Sequence, residues 1–264
     1  MNPALAFFLL ITSAIVLVFF RRKWLQQTKI IVQPFSDDDR KILEHQVAFY
    51  QNLSKNDKTA FENRVQEFLL KIKITGVGTS VEPLDRMLIG ASAIIPIFRF
   101  PQWKYTDLHE VLLYPSTFNQ KFSQQGDNRD VLGMVGDGAM NDIMILSKPA
   151  LRNGFANSMD RSNTGIHEFV HLIDKTDGIT DGIPEVLLTH QYVLPWIQAM
   201  HKNIADIAKQ HSDINPYAAT NQAEFFAVVS EYFFERPDLL KERHPDLYSL
   251  LEKAFAGSSE PEMR

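Results

Sequence analysis

Five consecutive residues, His167-Glu168-Phe169-Val170-His171, place two imidazoles and a carboxylate inside an otherwise apolar run from Thr164 to Asp174. On an α-helix, residues four apart stack on one face about 6 Å apart along the axis, so His167 and His171 can aim ring nitrogens at one ion. Zinc takes imidazole nitrogen at about 2.1 Å, and a catalytic site adds a third protein ligand while leaving one position for water. Glu168 has the type and spacing of the group that takes a proton from such a water, which the metal acidifies toward neutral pH. Chance matches to this pattern fall readily on exposed polar stretches. Here Ile166, Phe169, Val170, Leu172 and Ile173 make the segment apolar enough to bury, and a buried His-Glu-His set without a cation would strand several polar groups. The stretch reads as a helix binding one Zn2+ per chain.

The third ligand must come from elsewhere. Asp174, Asp177, Asp181 and Glu185 follow closely, and Glu224, Glu231 and Glu235 come much later. The metzincin spacing is absent, because position 174 is Asp where Gly is needed and position 177 is Asp instead of His. Asp177 is thus a disfavoured ligand. Asp174, near one turn past His171, suits a group that holds a His ring or the helix end. Glu224 is the stronger candidate: it precedes Phe225, Phe226, Val228, Val229, Tyr232 and Phe233 in one helical pattern, where an unpaired carboxylate is costly and a metal removes the cost. Glu231 lies two turns on, near the same face, and suits either the ligand or a group orienting one. The plain alternative for both is a glutamate on a helix surface.

These residues need a scaffold of ordinary size. The chain has 264 residues, 45% hydrophobic and 22% charged, enough for one large domain with small attachments. A net charge of −5 gives no reason to expect direct nucleic-acid binding. The absence of Cys excludes a thiolate nucleophile, a disulfide framework and Cys-ligated zinc. Pro3 to Phe20 carries no charge, and its length corresponds to about 27 Å of helix against a hydrocarbon core of roughly 30 Å. Arg21-Arg22-Lys23 follows directly where a signal peptide would have small residues, so the run is expected to be an uncleaved anchor. The basic flank predicts a cytoplasmic carboxy-terminal side at a bacterial inner membrane. The expected organisation is a transmembrane anchor at 1–20, a juxtamembrane linker at 21–35, a domain at 36–256 and a flexible tail at 257–264.

Within the domain, Ser36 before three aspartates and Ser54 with Asp57 read as helix N-caps. A short strand is expected within Lys71 to Val81, and a buried helix from Leu84 to Ile95 stopping before Pro96. Strands are expected at Glu110 to Tyr114 and at Asp142 to Leu146. Gln120 to Gly138 reads as a hairpin connection or a mobile loop over the site, and Asn153 to Asn163 as a polar loop into the metal helix. Met140 to Ser147 is the candidate edge strand for holding an extended peptide. The fold class is α+β, a small mixed sheet packed on helices.

Taken together, His167-Glu-Phe-Val-His171, the run from Tyr217 through Glu224 and Glu231 to Phe234, Glu110-Val-Leu-Leu-Tyr-Pro115 and Asp174 resemble the Mlc titration factor A family of zinc metallopeptidases. The resemblance spans roughly residues 36 to 256. It implies a zincin-like fold similar to the anthrax lethal factor protease domain, with a gluzincin site whose third ligand is Glu224 and whose general base is Glu168. It also implies that Tyr217 donates a hydrogen bond to the developing oxyanion, a role phenol chemistry permits. Soluble members act as aminopeptidases on small substrates, and the enteric type binds the repressor Mlc. The expected function is therefore a membrane-anchored zinc peptidase acting on a peptide or protein substrate. The alternative is a regulatory module that sequesters a transcription factor or envelope partner around a structural zinc.

Overall fold

The computed structural model describes residues 34–119, 131–136, 142–157 and 160–256. The expected anchor at 1–20, the linker apart from residues 34 and 35, and the tail at 257–264 lie outside these described residues. Among the described residues no helix is long and apolar enough to cross a membrane. The chain divides into units Met1–Pro34 and Phe35–Arg264, and the second carries the fold that follows.

Both serine caps form. Ser36 accepts the Asp39 amide at the start of α1 (Asp37–Gln46), and Ser54 accepts the Asp57 amide at the start of α3 (Lys55–Lys71), with the single turn α2 (Ala48–Gln51) between them. Each such cap contributes about 1 kcal/mol. Helix α4 (Pro83–Ile97) passes the expected stop and contains Pro96. The proline removes one donor only in the last turn, while Ile94, Ile95 and Ile97 are each at most 3% exposed and hold the turn in place.

Four strands, β1 (Lys73–Gly76), β2 (Glu110–Tyr114), β3 (Gly133–Val135) and β4 (Ile143–Ser147), form one sheet in the order β1-β2-β4-β3. The β1–β2 and β2–β4 pairs are parallel and β3–β4 is antiparallel. Strand β4 is therefore interior, which corrects the expectation that Met140 to Ser147 supplies the edge. The edges are β1 and β3; β3 lies inside the Gln120 to Gly138 stretch read as a hairpin connection or a mobile loop, and its three residues are too few to display a period of two. Ser147 ends β4 and caps α5 (Lys148–Ala156), a helix that takes up the first residues of the expected Asn153 to Asn163 loop.

Helix α6 (Thr164–Asp174) carries the His-Glu-His residues, followed by α7 (His190–Ala208), α8 (Gln222–Glu235), α9 (Pro237–Arg243) and α10 (Pro245–Phe255). Phe169 on α6 is fully buried against the rings of Phe68 and Tyr105, at 5.6 and 5.1 Å between centroids. Trp196 of α7 packs on Phe225 and Phe226 of α8. The first contacts seat α6 and the second seat α8, and His167 of α6 reaches across to Glu224 and Glu231 of α8.

Asp213 ties the segment ahead of α6 to α8 and to the α9–α10 junction. It accepts from Arg161 at 2.6 Å, the Tyr232 hydroxyl at 2.8 Å, Arg243 at 2.8 Å and His244 Nε2 at 2.7 Å. Partial burial alone would raise its pKa, but the bonds from His244, Tyr232 and Arg243 outweigh it and hold the carboxyl at about 2. A folded-state pKa below the unfolded one stabilises the protein fully above pH 4, and the contribution is lost as pH falls through 2. Asp213→Asn should lose about 2 kcal/mol at pH 7. Urea unfolding across pH should show the gap to wild type closing near pH 2.

Candidate metal centre

Asn163, fully buried, sets the start of α6 by accepting the Ile166 amide at 3.1 Å. That start puts His167 in the first turn and His171 one turn later on the same face. Glu224 arrives from the first turn of α8, where Asn221 caps the helix by accepting the Glu224 amide at 2.9 Å. His167 Nε2 lies 3.0 Å from His171 Nε2 and 3.0 Å from Glu224 Oε2, and His171 Nε2 lies 3.4 Å from that oxygen. Among the described residues, His167, His171 and Glu224 form the one group of three whose ligand atoms all lie within 4.8 Å.

Glu231 resolves its two expected roles in favour of orientation. His167 Nδ1 donates to Glu231 Oε1 at 2.7 Å, and the other oxygen accepts the Asn163 amide. A ring proton held on Nδ1 leaves Nε2 as a lone pair. Two imidazole nitrogens and a carboxylate oxygen then converge as acceptors, a repulsive arrangement that a divalent cation with nitrogen and oxygen ligands relieves. The donor set thus fits zinc. The field agrees: burial would lower the pKa of His167, but Glu231 and Glu224 outweigh it and raise it well above the ordinary value. Burial likewise favours a higher pKa for Glu224, yet the two imidazoles beside it, His167 and His171, hold it far below the carboxylate range. The pocket is built for positive charge.

Asp174 behaves differently from one half of its expectation. Both of its oxygens accept the Gly182 amide, at 3.1 and 2.9 Å, so it holds the loop after the helix and not a His ring. Burial pushes its carboxyl up to about 6. Gly182 has φ +75 and presses against the Gln222 carbonyl, a placement open only to glycine. Asp177 accepts the Ile179 amide and stays outside the trio.

Glu168 is 5% exposed, and burial raises its pKa despite both histidines. It faces β3 so closely that a Cβ at Gly133 would lie 2.6 Å from its Oε1. Strand β3, Lys175, Asp181, Tyr217 and the start of α8 join the trio in lining a cleft of about 690 Å3. Tyr217 is 51% exposed on the turn Pro216–Ala219, its ring 6.1 Å from that of His167. The sequence reading missed Gly133, Asn163 and Lys175. Asn163 was legible as an Asn directly ahead of Thr164, whereas the other two act through contacts distant in sequence.

The sequence model of the family described as glucose-regulated metallo-peptidase M90 matches residues 21–256. An uncharacterized protein of Synechocystis is 27% identical over 245 residues, covering 88% of this chain and 89% of its own. Mlc titration factor A of Edwardsiella ictaluri is 31% identical over 185 residues, 64% of this chain and 68% of its own. The protein of the same name from Pectobacterium atrosepticum is 31% identical over 161 residues, 56% of this chain and 58% of its own.

Glu231→Gln keeps an acceptor for His167 but removes the charge. Its zinc affinity should fall about 10- to 100-fold, read by competition with a chelator, with the helical circular dichroism retained. An unchanged affinity would remove Glu231 from the orienting role.

Proposed function

The chain belongs to the glucose-regulated M90 metallopeptidase family, and from that premise we propose that it is a zinc-dependent peptidase with His167, His171 and Glu224 as ligands and Glu168 as general base. The observation that carries this reading is the convergence of three ligand atoms beside a buried glutamate, beneath the edge of a sheet. A divalent cation held by the trio would acidify a water toward neutral pH and polarise the scissile carbonyl.

The chain's own groups supply the rest. Glu168, its pKa raised by burial, accepts the proton of the attacking water and returns it to the leaving amine, an exchange that works best with a pKa near the working pH. The Tyr217 phenol, on the cleft wall, donates to the oxygen that becomes negative. Strand β3 spends the Leu132 carbonyl on Ser147 and the Gly136 amide on Ile143. Alternation then directs the amides and carbonyls of Gly133 and Val135 away from β4, where an extended peptide can pair with them. Anchoring by Pro3 to Phe20, with the peptidase unit in the cytoplasm, belongs to the proposal on the strength of the sequence. Aminopeptidase-like preference belongs to it through the family resemblance.

A second reading is sequestration of a transcription factor, suggested by the name of the Mlc titration factor A relatives. A structural zinc takes four protein ligands, whereas among the described residues no fourth His, Cys, Asp or Glu joins the trio. That count supports catalysis.

Glu168→Gln should keep one zinc per chain while hydrolysis of internally quenched peptides drops about 1000-fold. Glu224→Ala should purify without stoichiometric zinc, and Tyr217→Phe should lower kcat about 100-fold. Hydrolysis by Glu168→Gln at the wild-type rate would refute the mechanism.

A further inference from the structure

Strand β3 is short, and its placement beside α6 is set at two points. At one end, Gly133 sits against the Glu168 carboxylate. At the other, Lys175 Nζ, on the residue that caps α6, donates to the Gly136 carbonyl at 3.1 Å. The two spans match: the seven residues from Glu168 to Lys175 advance about 10.5 Å along a helix axis, and the three from Gly133 to Gly136 about 10 Å along a strand. The strand therefore runs alongside the metal helix, and each end meets a side chain of that helix.

On its other side β3 is held to β4 by few bonds, those of Leu132 with Ser147 and of Gly136 with Ile143 among them. A ladder of this length holds its edge weakly on its own. Lys175 also stands at a boundary, since it lines both the metal cleft and a neighbouring cavity of about 310 Å3 walled by Trp103, Tyr105 and Leu172. It is the one Lys or Arg lining the cleft among the described residues.

We propose that Lys175 is a positioning residue that clamps the substrate-docking edge of the sheet against the metal helix through the Gly136 carbonyl, and thereby sets affinity for an extended peptide. The inference rests on the peptidase reading above. The Lys175 bond goes to the strand and not to the trio, so its removal acts on the wall that aligns the peptide and leaves the metal in place. A cation at a helix C-terminus also stabilises the helix itself, so the test must separate docking from general stability.

The experiment compares Lys175→Met and Lys175→Arg with wild type in the zinc-loaded full chain, using one internally quenched octapeptide. Lys175→Met should raise KM about tenfold with kcat within about twofold, zinc affinity should not change, and amide exchange at Met134 and Gly136 should accelerate. Lys175→Arg, which retains a donor, should restore both KM and protection. An unchanged KM, a loss confined to kcat, or unaltered exchange at Gly136 in Lys175→Met would overturn the inference. If wild type cleaves no peptide, the peptidase reading falls separately. Gly136 exchange together with octapeptide binding by fluorescence anisotropy then decides for or against the clamp.

Discussion

The hydrogen bond from His167 Nδ1 to Glu231 is the constraint on which the site depends. It joins α6 to α8, fixes which nitrogen of His167 faces the cleft, and sits 4% exposed, where an unpaired carboxylate would be costly. The other Glu231 oxygen holds the Asn163 amide, and Asn163 caps the helix that carries His167. One carboxylate thus fixes both the ring and the start of the helix behind it. Glu224 enters seven residues before Glu231 on α8, about two turns away, so the helix that orients the first histidine also carries the third member of the trio.

Around this link the fold supplies walls. The aromatic contacts of Phe169 with Phe68 and Tyr105 seat α6, and those of Trp196 with Phe225 and Phe226 seat α8 on α7. The loop after α6 is closed by Asp174 on the Gly182 amide and by the Trp196 indole donating to the Gly182 carbonyl at 2.7 Å. This loop lies against the start of α8, where Glu224 sits. The sheet contributes its antiparallel edge, and the absence of a side chain at Gly133 lets that edge approach the Glu168 carboxylate.

How much of this could be read from the chain depends on the range of each signal. His167, Glu168 and His171 were legible because a helix turns their spacing directly into one face. Glu224 was legible because a carboxylate in an apolar helix needs a partner. Glu231 stayed ambiguous, since helical phase puts it near the same face but says nothing of its distance to a ring on another helix. Asp174 was legible as a group around the helix end, but its Gly182 partner lies beyond a left-handed turn. The interior place of β4 was missed because strand order is a long-range property, and β3 because three residues show no period. Helix α5 starts with Pro149 in its first turn, where a proline fits, and its last turn falls in the stretch expected to be a polar loop. The apolar run Pro3 to Phe20 lies outside the described residues, so its reading stays with the sequence.

The most direct test of the central claim is X-ray absorption at the zinc edge on the purified full chain. The expected result is a single zinc environment with two imidazoles and low-atomic-number oxygen ligands near 2.0 to 2.1 Å, collapsing to the spectrum of free zinc when His167 and His171 are replaced together. A spectrum with one imidazole or none, or one unchanged by the double replacement, would contradict the convergence of His167, His171 and Glu224 on one ion.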